Sequence, residues 1–292
     1  MYNKRMSRAN PGLMVFLIDC SASMALPLLR SETDKNQSIS KFEAAADILD
    51  SVLFQCTTKC ASEDKYKDYV DFVILGYGDR VFSPISKIPV SEYPISVNKL
   101  DSSYESVEEF SEEELGETMS PIKWINQDIQ LGGITSMRAG FTMAKEIIQD
   151  WVKKHPDSYP PILLNISDGM ANDLPIDEED NGKLDPSPLF EVCKDIKKIQ
   201  TNDGNTVIGN IHLSDGKIIN VKFPVSIDEV MDIEDPAAGT LFEMTSEVPA
   251  PWLEKAQGFG LNIRPSGKMY IYNSDFDSFL SFFKFGTDPT NA

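Results

Sequence analysis

A carboxylate and two hydroxyls stand at alternate positions near the start of the chain, at Asp19, Ser21 and Ser23. They follow the apolar run 13–18 (LMVFLI), whose unbroken character is typical of a strand buried on both faces of a parallel sheet. Open α/β sheets bind ligands just past the carboxyl ends of such strands. Because short oxygen ligands suit a hard cation, the motif predicts a Mg²⁺ site at the end of the first strand.

Two later segments carry oxygen atoms that a parallel sheet would bring to the same edge. Thr135 lies in the loop 131–137 (LGGITSM), just before an expected helix, and Asp168 follows the apolar strand 161–166 (PILLNI). Each has a structural alternative, since threonine often caps a helix and aspartate before glycine often forms a turn. Together the three segments favour one metal site with five residues: Asp19, Ser21, Ser23, Thr135 and Asp168.

This set of residues resembles the metal-ion-dependent adhesion site of the von Willebrand factor type A (VWA) domain. The D-x-S-x-S motif of that family matches positions 19–23, its threonine loop matches Thr135, and its strand-end aspartate matches Asp168. The resemblance implies that the three hydroxyls bind the ion directly or through water, and that the aspartates supply charge partly through ordered waters. It also implies an open coordination position that a carboxylate of a partner protein fills. Ser136 departs from the subgroup pattern described next, which usually has proline after the threonine.

Four further stretches resemble a bacterial cytoplasmic VWA subgroup, namely 151–169, 201–214, 241–249 and 279–287. Members of that subgroup often accompany protein kinases and PP2C-type phosphatases in stress or tellurium-resistance gene clusters. The resemblance therefore implies a protein partner that supplies a carboxylate, with a kinase or PP2C-type phosphatase as the candidate. It implies Mg²⁺ as the cofactor, with Mn²⁺ or Ca²⁺ as alternatives.

Strand and helix patterns alternate along the chain, and this order predicts an α/β fold with a doubly wound, mostly parallel central sheet flanked by helices. We expect a single domain over residues 1–292. The expected strands are 13–18, 69–77, 81–85, 161–166, 206–213 and 269–272, and the expected helices are those beginning at Ser40 and Ser187 and those at 137–152, 237–246, 251–258 and 276–286. Ser40 and Glu43 form the sequence of a capping box.

Two regions depart from this alternation. Residues 86–121, rich in serine and glutamate, are expected to be an insertion that forms either a short helix or an acidic surface loop. Residues 214–260 are expected to add a β-hairpin, which turns at Asp215–Gly216 into the strand 217–223, and further helices.

Composition limits the classes of partner. The chain of 292 residues is 41% hydrophobic, which is enough for a full core, and its formal charge of −19 argues against nucleic acid as a partner. No apolar run approaches the roughly 20 residues of a membrane span, and the stretch after Pro11 meets Asp19 too soon for a signal peptide. Cys56 and Cys60 share a helix, but no second ligand pair completes a zinc site. We expect reduced cysteines and a cytoplasmic protein that binds neither nucleic acid nor membrane.

The leading hypothesis is a Mg²⁺-dependent interaction module without catalysis, and the alternative is a metal-dependent hydrolase or phosphatase that uses the same carboxylates. A triad of Ser21 with His212 stays open, although the chain lacks a G-x-S-x-G elbow and His212 is better explained as a hydrogen-bonded residue that closes its strand. A third hypothesis is a scaffold that binds through its acidic insertion. The segment 177–182 resembles the start of a calcium loop, but the twelfth position, which needs glutamate, is Pro188.

Overall fold

The structure is a computed structural model in which residues 1–28, 39–62, 66–108, 120–177, 182–214, 221–231, 235–258 and 260–272 are described. Its strands are β1 (Gly12–Asp19), β2 (Val70–Tyr77), β3 (Val81–Phe82), β4 (Ile95–Ser96), β5 (Ser106–Val107), β6 (Ile122–Lys123), β7 (Ile162–Ser167), β8 (Ile176–Asp177), β9 (Lys183–Leu184), β10 (Gln200–Thr201), β11 (Gly204–Asn205), β12 (Val207–His212), β13 (Val221–Lys222) and β14 (Tyr270–Tyr272). Its helices are α1 (Lys41–Cys60), α2 (Val97–Asp101), α3 (Met137–Lys154), α4 (Ser187–Lys198), α5 (Asp228–Met231), α6 (Pro236–Met244) and α7 (Ala250–Gly258), with 3₁₀ turns at Ala22–Ala25 and Val90–Glu92.

The main sheet is mixed and mostly parallel, which confirms the predicted α/β fold. Its order is β13-β14-β12-β7-β1-β2-β3, and β4 also pairs with β2. The five strands from β14 to β2 run parallel, whereas β3, β4 and β13 are antiparallel. All eight residues of β1 are buried, as expected for a strand with a neighbour on each side and helices packed on the sheet.

The register of the parallel strands aligns their carboxyl ends. Asp19 at the end of β1 pairs with Tyr77 at the end of β2, and Ser167 at the end of β7 pairs with His212 at the end of β12. Ile18 pairs with Ile166, so β1 and β7 also end level. The segments that follow β1, β2, β7 and β12 therefore leave the sheet at one edge.

Helix α1 begins as its sequence predicts. The Ser40 hydroxyl accepts from the Glu43 backbone N–H at 3.1 Å, and the Glu43 carboxylate accepts from the Ser40 N–H at 2.6 Å. These two bonds satisfy backbone donors that have no partner within the helix. Helix α3 packs on β1 and β2, and α4 and α6 pack on β12. No helix in the described ranges is long and apolar enough to cross a membrane.

The predicted hairpin after β12 is wrong. Its turn at Asp215–Gly216 lies outside the described residues, and β13 pairs antiparallel with β14, which separates it from β12. The three residues of β14 are all buried, whereas both residues of β13 are half-buried. An apolar three-residue strand is stabilised inside the sheet, and a strand containing Lys222 suits its border.

The insertion 86–121 is partly integrated into the fold. Strand β4 pairs with β2, and α2 packs on both with Val97 and Leu100 fully buried, so the short-helix alternative is correct for this part. The acidic stretch 109–119 and the phenylalanine-rich segment 276–286 lie outside the described residues.

Candidate metal site

Asp19 is fully buried at the carboxyl end of β1 and accepts two hydrogen bonds. Its Oδ1 accepts from the Ser21 backbone N–H at 2.9 Å, and its Oδ2 accepts from the Ser167 hydroxyl at 2.6 Å. Burial raises the pKa of Asp19 to about 6, and the nearby charge of Asp168 adds to this effect, while the bonds from Ser167 and Ser21 oppose it. The carboxylate is thus held in one orientation at a position that favours neutralisation by a cation.

The hydroxyls of Ser21 and Ser23 form a connected set of oxygens with Asp168. The two Oγ atoms are 3.1 Å apart, and the Ser23 hydroxyl donates to Asp168 Oδ1 at 2.8 Å. The 3₁₀ turn Ala22–Ala25 begins directly after Ser21 and turns the chain, so that both serines are held near Asp168. Oxygens on adjacent corners of an octahedron with metal–oxygen distances of about 2.1 Å are about 3 Å apart. These three oxygens are therefore close enough together to contact one divalent cation.

The remaining oxygen of Asp168 is in a buried ion pair that sequence patterns do not predict. The Lys41 ammonium donates to Asp168 Oδ2 at 2.8 Å, and the two side chains are 2% and 1% exposed. Lys41 is the first residue of α1, where a cation is unfavourable because the helix dipole is positive at that end. That placement is the one sequence signal that could have drawn attention to Lys41.

The loop 131–136 is attached to the same edge of the sheet. The Gly132 N–H donates to the Cys20 carbonyl at 2.8 Å, and the N–H groups of Gly133 and Ile134 donate to Asp79 Oδ1 at 2.9 and 3.2 Å. A Cβ atom at Gly132 would lie 2.8 Å from Asp79 Cγ, so the loop can approach this carboxylate closely only with glycine there. Asp79 thus supports the loop, a role that sequence reasoning missed.

Thr135 is bound on its other side to the segment that follows Asp168. Its N–H donates to Asn172 Oδ1 at 3.1 Å, and its carbonyl accepts from the Asn172 N–H at 2.9 Å. The next residue, Asp173, accepts from the N–H groups of Arg138 and Ala139 in the first turn of α3. The structure therefore brings the loops of Asp19, Thr135 and Asp168 together through backbone and side-chain bonds.

The triad suggested by Ser21 and His212 is not formed. His212 is fully buried, its Nδ1 lies 2.8 Å from the Tyr270 hydroxyl, and its Nε2 lies 3.4 Å from Asp235 Oδ2. Ser21 instead contacts Ser23. His212 ends β12 and is hydrogen-bonded, as its structural interpretation predicts.

Carboxylate and thiol clusters of the usual metal-binding kind do not occur in the described ranges. No group of three or more His, Cys, Asp or Glu side chains there could hold a metal ion. The candidate site has two carboxylates and relies on hydroxyls for its other oxygens. The cysteines at 20, 56, 60 and 193 are buried and form no disulfide among the described residues, and the Cys56 thiol lies 3.9 Å from the sulfur of Met14. In the segment 177–182, which resembles the start of a calcium loop, residues 178–181 lie outside the described residues.

A cleft of about 600 Å³ opens beside the loop 131–136. The residues that line it come from the end of β1, the β2–β3 turn and the segment before Thr135, and they include Cys20, Gly78, Asp79, Arg80, Asn126 and Gly132. Arg80 is exposed there. The cleft therefore offers a polar surface next to the candidate site that is large enough for several side chains of another molecule.

No protein-family model matches the chain, and no curated protein matches it. Similar solved structures include proximal thread matrix protein 1 from the mussel byssus, with 12% identity, 97% of this chain and 47% of that chain covered, and a TM-score of 0.42. A second structure of that protein has a zinc-occupied MIDAS motif, the abbreviation for metal-ion-dependent adhesion site. The PilB minor pilin from Streptococcus sanguinis has 11% identity, coverages of 98% and 63%, and a TM-score of 0.45.

The pilus adhesin SpaC from Lactobacillus rhamnosus GG has 12% identity, coverages of 98% and 31%, and a TM-score of 0.42. This chain spans less than two thirds of the length of each of these three proteins. The α/β fold is defined by the strand order of the main sheet, and the candidate site by the contacts of Asp19, Ser23 and Asp168.

Proposed function

We propose that this chain is a protein-interaction module that uses a divalent cation, Mg²⁺ in the first instance, to bind an acidic side chain of a partner. Asp19, Ser21, Ser23, Thr135 and Asp168 would hold the ion. The observation that carries the proposal is the row of oxygens formed by Ser21 Oγ, Ser23 Oγ and Asp168 Oδ1, with successive spacings of 3.1 and 2.8 Å. Asp19 is held next to this row, because its Oδ1 accepts from the Ser21 backbone N–H at 2.9 Å. The VWA resemblance assigns the same residues to its adhesion site.

The charge balance of the site favours binding of a carboxylate. Of its two carboxylates, Asp168 is already paired with the Lys41 ammonium, and the serine and threonine ligands are neutral. When bound, a divalent cation would give the site a net positive charge and an electrophilic position for an incoming oxygen. The site residues themselves orient and bind. The described contacts of Ser21 and Asp19 include no histidine that would act as a base, so we propose no catalytic step and keep the hydrolase as the alternative.

The cleft beside Thr135 would receive the part of the partner next to its acidic residue, and Arg80 would pair with further acidic groups. The resemblance to the bacterial subgroup supports a kinase or PP2C-type phosphatase as the first partner to test. The four buried cysteines, which form no disulfide among the described residues, are compatible with the proposed cytoplasmic location, where thiols stay reduced.

Calorimetric titration with Mg²⁺ and Mn²⁺ tests the metal site directly. The wild type should bind one ion, and Asp19→Ala should weaken binding at least about tenfold, which corresponds to about 1.4 kcal/mol. Asp150→Ala is the matched control, because this carboxylate is exposed on α3 and pairs only locally with Lys153. Equal affinities in all three proteins would refute the metal site.

The interaction is tested by capture of a candidate partner, such as a kinase or phosphatase encoded by a neighbouring gene. Capture by the wild type should be lost in EDTA and restored by excess Mg²⁺, and Asp19→Ala should not capture the partner under either condition. Undiminished capture in EDTA would remove the metal from the mechanism. Metal-dependent hydrolysis of a phosphoester that Asp19→Ala abolishes would instead support the enzyme alternative.

A further inference from the structure

The Asp168 carboxylate is shared between the candidate site and a lysine. Oδ1 accepts from the Ser23 hydroxyl at 2.8 Å, while Oδ2 accepts from the Lys41 ammonium at 2.8 Å. Both charged side chains are almost fully buried. One of the two carboxylates that would attract a metal ion is therefore already paired with a positive charge.

The backbone holds Lys41 beside the loop that carries Ser23. The Lys41 N–H donates to the Leu26 carbonyl at 2.9 Å, and the Leu26 N–H donates to the Ser23 carbonyl at 3.0 Å. The capping box of Ser40 and Glu43 fixes the first turn of α1 at the same point. These bonds hold the start of α1 beside the segment that carries Ser23, so the ammonium is kept within reach of Asp168 by the fold itself.

A buried lysine at the first residue of α1 is unfavourable for two reasons. Burial of an ammonium is unfavourable unless it is paired, and the start of a helix is the end where the dipole repels a cation. Asp168 offsets both effects. Conversely, Asp168 without Lys41 would be a buried carboxylate close to Asp19, and two such charges repel each other in the absence of a cation.

We propose that Lys41 is the internal counter-ion of the candidate metal site, an inference that rests on the proposed function. Lys41 stabilises the metal-free protein by pairing with Asp168, and it lowers the metal affinity because its charge repels a divalent cation that uses the same carboxylate. It is also a positioning residue, since the ion pair orients Asp168 with Oδ1 toward Ser23. The fold would thus remain stable without metal, and the site would respond to changes in metal concentration instead of staying saturated.

The test compares Lys41→Met with Lys41→Arg, which retains the charge, and with Lys153→Met, which removes an exposed lysine on α3. Calorimetry with Mn²⁺ at pH 8 should show at least about tenfold tighter binding by Lys41→Met, equivalent to about 1.4 kcal/mol. The affinity of Lys41→Arg for Mn²⁺ should stay within about threefold of that of the wild type, which is a smaller change than the tenfold that corresponds to about 1.4 kcal/mol. The affinity of Lys153→Met for Mn²⁺ should equal that of the wild type.

Thermal unfolding supplies a second readout that a merely structural lysine would not affect in this way. Without metal, Lys41→Met should have a lower Tm than the wild type, and Mn²⁺ should raise its Tm by a larger increment than it raises that of the wild type. The ion would then replace the missing positive charge. A Lys41→Met protein that is equally unfolded with and without Mn²⁺ would overturn the proposal.

The outcomes separate this inference from the proposed function. Metal binding that is equally tight in the wild type and Lys41→Met would overturn the counter-ion role and leave the metal-dependent module intact. Absence of metal binding from the wild type, Lys41→Met and Lys41→Arg would overturn both. Tighter binding by Lys41→Met that Lys41→Arg reproduces would show that side-chain shape, not charge, controls the affinity, and would also overturn the counter-ion role.

Discussion

The Ser23 hydroxyl donates a 2.8 Å hydrogen bond to Asp168, a residue 145 positions later in the chain. This bond joins the segment after β1 to the segment after β7. It is possible because the two parallel strands are neighbours and end level, with Ile18 paired with Ile166. The sheet register therefore converts two distant sequence motifs into adjacent oxygens, and the hydroxyl of Ser23 is the link between them.

Ser23→Ala should weaken Mg²⁺ binding at least about tenfold and leave the fold nearly unchanged. The residue itself is exposed, so the loss of its hydrogen bond should lower the free energy of unfolding by only about 1 kcal/mol. Calorimetry measures the affinity, and urea unfolding in EDTA measures the stability. Ser23→Thr retains the hydroxyl and is the matched control. Equal metal affinities in Ser23→Ala and Ser23→Thr would exclude this hydroxyl as a ligand.

Asp79→Ala should weaken metal binding although Asp79 is not a proposed ligand. Its Oδ1 accepts from the N–H groups of Gly133 and Ile134, so its removal frees the loop that presents Thr135. We expect a several-fold lower Mn²⁺ affinity and a loss of only about 0.5–1 kcal/mol in the free energy of unfolding, because the N–H groups of Gly133 and Ile134 are exposed and can donate to water instead.

Asp79→Asn retains the Oδ1 acceptor and loses the charge. It should therefore keep most of the metal affinity in the same calorimetric titration. If Asp79→Asn binds as weakly as Asp79→Ala, the charge of Asp79 and not the loop geometry supports the site.

The parts of the structure that sequence patterns predict are those encoded by local signals. The start of α1 follows from Ser40 and Glu43, which lie three positions apart and bond to each other. The strand ends at Asp19 and Ser167 follow from apolar runs that are interrupted by polar residues. The rule that parallel strands end at one edge does not place Thr135, because the strand that precedes its loop, β6, belongs to a separate two-stranded sheet.

The supporting contacts are not encoded locally. Lys41 and Asp168 are 127 positions apart, and Asp79 and Gly133 are 54 positions apart. A charged residue at the start of a helix or in a turn is common on protein surfaces, and only the packed fold shows that Lys41 is buried against Asp168. The pairing of β13 with β14 was missed for the same reason, because the hairpin rule considers only sequence neighbours.

Metal should stabilise the folded protein, and its removal should reverse the effect. A ligand that binds only the folded state adds about 2.7 kcal/mol at a concentration of 100 times its Kd. The wild type should therefore have a higher Tm in saturating Mg²⁺ than in EDTA, whereas the Tm of Asp19→Ala should rise by a smaller increment. An equal increase in the Tm of Asp19→Ala would indicate that Mg²⁺ binds at another site or acts as a general salt. A measurement of Tm in NaCl at the same ionic strength distinguishes these two explanations.

A further titratable group away from the candidate site, Asp50, should make stability depend on pH. Asp50 is fully buried in α1, and its Oδ1 accepts from the N–H groups of Trp124 and Ile125 at 2.9 and 3.1 Å. Its Oδ2 has no hydrogen-bond partner among the described residues. Burial raises the pKa of Asp50 to about 7, against the effect of the two backbone donors.

The sign of the pH dependence follows from proton binding. Between about pH 4 and pH 7 the folded protein keeps a proton on Asp50 that the unfolded chain releases. The stability that Asp50 contributes is therefore largest below pH 4 and is lost as the pH rises toward 7. In this interval the free energy of unfolding should fall by up to about 1.4 kcal/mol per pH unit from this group. Urea unfolding in EDTA at pH 5, 6 and 7 measures the slope.

Asp50→Asn isolates this contribution, because its amide oxygen can still accept from Trp124 and Ile125 while the side chain no longer titrates. Between pH 5 and pH 7, the free energy of unfolding of Asp50→Asn should fall less steeply with pH than that of the wild type, by the equivalent of about one bound proton. The exposed control Asp150→Asn should keep the wild-type slope. Asp19 has its own raised pKa and contributes equally to all three proteins, so it cancels in the comparison. Parallel stability curves for the wild type and Asp50→Asn would mean that Asp50 is ionised in the folded protein, with Oδ2 satisfied by water.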